Sequence, residues 1–221
     1  MLQVENLSRE FVRGGKRFPA VDHVSFQADK GELLVVIGQS GSGKSTLFHL
    51  ISGMIRPTEG TIRFLGRDVT KMSVSEITRL RGTDMGYIMQ GQNLLQNLTV
   101  MENIYLPVSM NKRMKNADFD IQELLDTFGL SHLAEEYPEN LSGGEQRRVS
   151  IARSFVQKPQ LVIADEPTSN LDPENTKIIM EYFRKMSESG TTVLVSTHNM
   201  DFVNYADRCL EMDKGHLKEK G

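Results

Sequence analysis

The chain has 221 residues, with 26 Lys and Arg against 29 Asp and Glu, giving a net charge of −3. That length suffices for one large or two-lobed domain with a full core, and 38% hydrophobic with 25% charged residues excludes collagen-like, disulfide-scaffold and disordered classes. So even a balance offers no whole-molecule attraction to phosphate backbones or anionic lipid, so any such contact has to be local.

Cys209 is the one cysteine and cannot form an internal disulfide, and Met1 to Glu10 shows no basic-then-apolar signal; both lead us to expect a reducing, cytoplasmic setting. Apolar runs such as Leu33 to Ile37 fall far short of the ~20 residues that span a bilayer.

In chain order, Leu2, Val4 and Leu7 predict a first strand, and the Gly14-Gly15-Lys16 turn leads to a second around Ala20 to Phe26, a small antiparallel entry. Leu33 to Ile37 is continuously apolar rather than alternating, as in a strand buried on both faces of a parallel sheet. A helix is expected over Lys44 to Gly53 and another over Val74 to Leu80, then a strand at Met85 to Met89. From Gln92 to Lys158 the rhythm breaks: Met101 to Val108, Phe119 to Phe128 and Gly143 to Val156 read as helices with no convincing strand, a helical insertion. Its short basic cluster, Lys112-Arg113-Met114-Lys115, reads as a solvated turn. A strand at Leu161 to Ala164, a helix at Pro173 to Ser189 and a strand at Thr192 to Ser196 follow. The expected fold is α/β, a P-loop nucleotide-binding core over residues 1–89 and 159–221 with an antiparallel β subdomain and a helical subdomain over 90–158.

Gly38-Gln39-Ser40-Gly41-Ser42-Gly43-Lys44-Ser45 matches G-x-x-x-x-G-K-[ST] between that central strand and an apolar helix. Backbone N–H groups of such a loop turn inward around phosphate oxygens, and the helix adds its positive end. Lys44 is then placed for the β- and γ-phosphates, the Ser45 hydroxyl for Mg²⁺, and Thr46 for a further phosphate contact. The Leu161 to Ala164 strand delivers Asp165, a Mg²⁺-holding carboxylate, and Glu166, a candidate to take a proton from an attacking water. Gln90 and His198 follow two other strands at the same topological edge, where ligands of open α/β sheets sit. His198 can hydrogen-bond a γ-phosphate or the water, while His23, His49, His132 and His216 read as structural.

The run Leu141 to Arg153, opening Leu141-Ser142-Gly143-Gly144-Glu145-Gln146-Arg147-Arg148, is the most specific segment. Ser142 with Glu145 three residues on is a capping box. Capping leaves Gly143-Gly144 unexplained, since glycine costs about 1 kcal/mol against alanine in a helix. The pair implies a close backbone approach, and a helix start favours an anion.

With these motifs in order, the chain resembles the ATP-binding-cassette (ABC) ATPases over essentially its whole length. The resemblance implies a dimer of two copies sandwiching two ATP, each nucleotide between one phosphate loop and the other copy's Ser142-Gly143-Gly144, with Mg²⁺ held by Ser45, Gln90 and Asp165. It implies that Phe11 stacks on adenine, that Asp172 of the Ser169-Asn170-Leu171-Asp172 loop belongs to the nucleotide site, and that Gln90 senses occupancy. It further implies a separate integral membrane permease as partner, contacted near Gln90 to Pro107, and a peripheral position on the inner face of the membrane, with no nucleic acid expected. Asn93-Leu94-Leu95, Leu98 to Ile104 and Ala164 to Thr168 look like the lipoprotein-release, macrolide-export and bacitracin-resistance branch, from which Gln92 and Ser169 depart. A soluble ABC ATPase acting on DNA or ribosomes is the alternative, although the coiled coil or tandem cassettes usual there are missing. A P-loop kinase or nucleotide switch leaves Leu141 to Arg153 without a role.

Overall fold

The computed structural model describes residues 1–91, 94–111, 120–169 and 171–220. Gln92, Asn93, the Lys112-Arg113-Met114-Lys115 cluster, Phe119 and Asn170 lie outside the described residues. The first half runs β1 (Leu2–Arg13), β2 (Lys16–Ala28), β3 (Leu33–Ile37), α1 (Lys44–Ile51), β4 (Glu59–Phe64), β5 (Arg67–Asp68), α2 (Val74–Arg81) and β6 (Met85–Ile88). Then come α3 (Val100–Met110), α4 (Ile121–Thr127), α5 (Gly143–Phe155), β7 (Leu161–Asp165), α6 (Pro173–Glu188), β8 (Thr192–Thr197), β9 (Arg208–Asp213) and β10 (His216–Glu219).

β1 and β2 form a hairpin across Gly14 and Gly15, whose φ values of 57° and 77° suit a two-residue turn and need no Cβ. Both strands outrun the sequence expectation because the hairpin's distal half is exposed and leaves no apolar periodicity to read. β4 and β5, which the sequence pattern does not announce, complete an antiparallel sheet in the order β2-β1-β4-β5. The second sheet runs β10-β9-β3-β8-β7-β6, parallel except that β10 returns antiparallel on β9, a hairpin equally hidden in the sequence.

β3 and β7 are buried on both faces, which explains their continuous apolar runs. Their residues alternate between two cores: Leu34, Val36, Leu161 and Ile163 join α1 and the antiparallel sheet. Leu33, Val35, Val162 and Ala164 face the other way, into a core shared with Val100 and Ile104 of α3, Leu125 of α4 and Val149 of α5. The helical stretch thus closes over one sheet face. Burying a leucine there contributes roughly 1.5–3 kcal/mol, and the summed burial is what holds the strand ends in register at the site. Asn103 of α3 is fully buried; its amide accepts from the Leu95 N–H at 2.9 Å and donates to the carbonyls of Leu95, Leu98 and Thr99 at 2.9–3.0 Å, tying down the loop before the helix.

Candidate active site

β3, β8, β7 and β6 lie side by side, so the four segments singled out at their carboxyl ends emerge along one edge. The loop from Gly38 to Gly43 is pressed onto the protein at its back. A Cβ on Gly38 would lie 2.3 Å from the Met212 carbonyl oxygen, and one on Gly43 2.2 Å from that of Ala20. At the front, Gly41 has φ +80°, and a Cβ there would meet nothing within 4 Å, so the loop faces open space. The Ser42 hydroxyl is buried with no hydrogen-bond partner among the described residues. Gly43 caps α1 with φ 112° and no side-chain hydrogen bond, and the first turn carries no acidic residue. The first-turn N–H groups of α1 therefore have no side-chain acceptor, which makes this helix start receptive to an anion.

Lys44 is only 5% exposed. Its Nζ donates to the Gly38 and Gln39 carbonyls at 2.7 and 3.1 Å and stands 3.5 Å from Glu166 Oε1. The other Glu166 oxygen is 3.0 Å from Nδ1 of His198. Glu166 sits at φ +47°, unusual for a residue with a side chain. Ser196 holds it there: its carbonyl and its hydroxyl oxygen both accept from the Glu166 N–H at 3.1 Å. The same hydroxyl donates to Asp165 Oδ1 at 2.5 Å, orienting that buried carboxylate at the end of β7. A carboxylate between an ammonium and an imidazole is equipped to accept a proton and to hold a water beside bound phosphate.

Phe11, Ser40, Gly41, Gly43, Lys44, Ser45, Thr46, Gln90 and Glu166 all line one cleft of about 480 Å³, joined by Phe18 and Ala20. Gly38 and Gln39 reach it through Lys44, and His198 attaches through Glu166. Phe18 is Phe11's cross-strand partner in the hairpin, with ring centroids 6.1 Å apart, and the Arg9 guanidinium lies 4.9 Å from the Phe11 centroid. Phe11 belongs to neither hydrophobic core. Another cleft, beside Phe155, Tyr182, Lys30 and Lys185, opens at the amino ends of the strands, away from these groups.

Ser142, Gly143, Gly144 and Asp172 are not among the residues lining the Lys44 cleft. Ser142 caps α5 in the expected box: Glu145 N–H donates to its Oγ at 3.3 Å, and its own N–H donates to Glu145 Oε2 at 2.7 Å. The approach that Gly144 permits comes partly from within the chain, since a Cβ there would lie 2.8 Å from Asn175 Nδ2. Asn175 also accepts from Arg148 and, through its N–H and amide, donates to Asp172 at 2.8 and 2.6 Å. Asp172 is thereby the N-cap of α6, and these bonds hold its carboxyl below the usual range.

Arg147 has no role that the sequence alone assigns. It is 5% exposed, and its guanidinium donates to the carbonyls of Met89, Gly91, Pro167 and Glu166 at 2.6, 2.9, 2.6 and 3.4 Å. Burial lowers its pKa to about 10, with the Asp165 charge working in the opposite direction.

The family model described as ABC transporter matches residues 21–169, about two thirds of the chain. The chain belongs to the ABC transporter family. It is an ATP-binding cassette, the ATP-hydrolysing component of that family. Among solved structures, the cassette resembles a post-hydrolysis dimer of the ATP-binding cassette MJ0796 bound to ADP and Pi, at 29% identity and TM-score 0.89, covering 100% of both chains. A dimeric structure of MJ0796 described as a bacterial ABC transporter cassette matches at 28% identity and TM-score 0.88, again over 100% of both chains. The ADP conformation of the cassette MJ1267 matches at 28% identity and TM-score 0.80, over 99% of this cassette and 89% of that chain.

Proposed function

We propose that the cassette hydrolyses ATP at the Lys44 cleft, as a dimer of two copies, to drive a membrane permease on a separate chain. The observation that carries this reading is the Lys44–Glu166–His198 cluster beside an uncapped helix start. Phe11 and Phe18 would flank the base, the loop N–H groups and Thr46 the phosphates, and Lys44 would leave its carbonyl partners for the γ-phosphate. Water attack forms a P–O bond to the γ-phosphorus while the bond to ADP breaks, and the water's proton passes to Glu166. His198 orients that carboxylate from its far side.

The oxygen donors of Ser45, Gln90 and Asp165 fit Mg²⁺, a hard cation that keeps several waters. Ser45 and Gln90 line the cleft, and the Asp165 carboxylate is pre-oriented by Ser196. A bound Mg²⁺ would neutralise charge on the β- and γ-phosphates.

Ser142, Gly143 and Gly144 lie outside the cleft, on a helix start whose first-turn N–H groups could meet a nucleotide held by a second copy. The dimeric structures of MJ0796, one of them bound to ADP and Pi, support a dimer of cassettes. Support for a permease comes from exposed apolar groups on the helical segment, a subdomain over residues 90–158. Leu95 is 44% exposed, and Met101 and Tyr105, one turn apart on α3, are 37% and 40% exposed. No helix among the described residues is long and apolar enough to cross a membrane; in this reading the permease supplies the span and holds the cassette at the membrane's cytoplasmic face. The Leu94-Leu95, Leu98 to Ile104 and Ala164 to Thr168 patterns favour the lipoprotein-release, macrolide-export and bacitracin-resistance branch. Co-purification with ribosomes or DNA instead of a multi-span membrane protein would favour the soluble alternative.

Glu166→Gln should cut steady-state ATP turnover by on the order of 10²-fold or more and, by trapping ATP, leave a dimer visible in light scattering. Wild-type turnover in that variant would remove Glu166 as the base.

A further inference from the structure

We propose that Arg147 is a positioning residue that binds the Gln90 loop and the Glu166 loop into one body, so that a displacement of the first carries the base with it. This rests on the ATPase reading above. Every hydrogen bond found for the guanidinium among the described residues goes to a main-chain carbonyl. Nη1 takes Met89 and Gly91, on either side of Gln90, at 2.6 and 2.9 Å. Nε takes Pro167 at 2.6 Å, and Nη2 takes Glu166 at 3.4 Å. A planar fork with five donors can bridge two loops in this way, whereas an amide side chain offers two N–H groups and reaches less far.

Placing a charged group at 5% exposure without a hydrogen-bonded carboxylate is costly, and what it supplies is a set of charge-assisted bonds that fix main-chain positions. Glu166 is then held on both sides of its unusual backbone: Ser196 takes its N–H, and Arg147 takes its carbonyl and the next one. Lys44 opens α1, beyond the loop that follows β3, and Arg147 makes none of these bonds to either. The Lys44-to-Glu166 separation, 3.5 Å here, is therefore the distance that Arg147 controls. Met89, beside Gln90, is 47% exposed and apolar, so a load applied at that loop has a direct path to the base.

The test compares Arg147→Met and Arg147→Lys with the wild type in ATP turnover and in amide hydrogen exchange. Arg147→Met should lower kcat on the order of tenfold while KM for ATP stays within about twofold, and Arg147→Lys should recover part of the loss. In exchange, peptides spanning residues 86–91 and 164–169 should both speed up in Arg147→Met, while those over β3 and β8 stay unchanged. Unaltered kcat in a folded Arg147→Met, a matching change in KM, or faster exchange in only one loop overturns the proposal. If Arg147→Met does not fold, the same criteria apply to Arg147→Lys. A wild type without ATP turnover would sink the ATPase reading alone, because the exchange experiment still decides whether Arg147 couples the loops.

Discussion

Two helices of this molecule carry glycines at their starts, and they treat their free N–H groups differently. α1 begins at Gly43, in a left-handed conformation, with no side-chain cap and no acidic residue in its first turn. α5 begins at Ser142 with a complete capping box and Glu145 in its first turn. The first start is built to receive an anion from outside and pays in stability for staying open. The second has its Glu145 N–H taken by its own Ser142, so a nucleotide meeting it finds fewer free donors and needs the rest of its site from elsewhere, which fits a contact completed between two copies.

The glycines offer the strongest way to break this comparison. At Gly43 an added Cβ would strike the Ala20 backbone at 2.2 Å, in a φ of +112° that side chains rarely adopt. Gly43→Ala should cost about 1–3 kcal/mol in urea unfolding and reduce affinity for an ATP analogue by at least about tenfold. At Gly144 the added Cβ would meet the Asn175 amide, a side chain that can turn. Gly144→Ala should shift stability by no more than ~1 kcal/mol, because the helix preference for alanine offsets the crowding. Equal losses for the two would mean that the contrast between the two starts has no energetic content.

Removing the cap is the next step down. Ser142→Ala should destabilise the fold by about 1 kcal/mol while nucleotide affinity measured on dilute, single copies stays at the wild-type value. A drop in that affinity would place α5 at the same copy's site.

The smallest effect concerns acid. Hydrogen bonds from the Ser142 hydroxyl and N–H hold the Glu145 carboxyl below its ordinary 4.5. A carboxylate depressed in the fold contributes stability that is present above the unfolded value and is lost as pH falls through the folded one. Between pH 6 and pH 3, wild-type cassette should therefore lose slightly more stability than Glu145→Gln, which keeps the box but cannot titrate. Parallel curves would show that the carboxylate's charge adds nothing, and α1, lacking such a group, should make no corresponding contribution.

Legibility followed how local each signal was. The phosphate loop, the Asp165-Glu166 pair and the capping box are readable because each is a contiguous run whose residue types state their chemistry. Their convergence is also legible, since Gln90, Glu166 and His198 each follow a strand of one parallel sheet. β4 and β9 escape notice because they mix buried with exposed positions, and β10 because none of its four residues is buried. Phe18 escapes because only the hairpin register sets it opposite Phe11. Gly144 suggests room for an anion, whereas Asn175 occupies part of that room, and no spacing rule joins residues on two different helices.

The sequence by itself determined that this chain binds and cleaves a nucleotide triphosphate, because loop, lysine and carboxylates are short-range patterns with few other uses. Only the tertiary structure decided what holds Glu166 beside Lys44. Ser196 bonds it on one side and Arg147 on the other, groups that reach Glu166 across strands and loops far apart in the chain. Hydrogen bonds of this kind depend on where folding brings main-chain carbonyls together, a property of packing rather than of residue order.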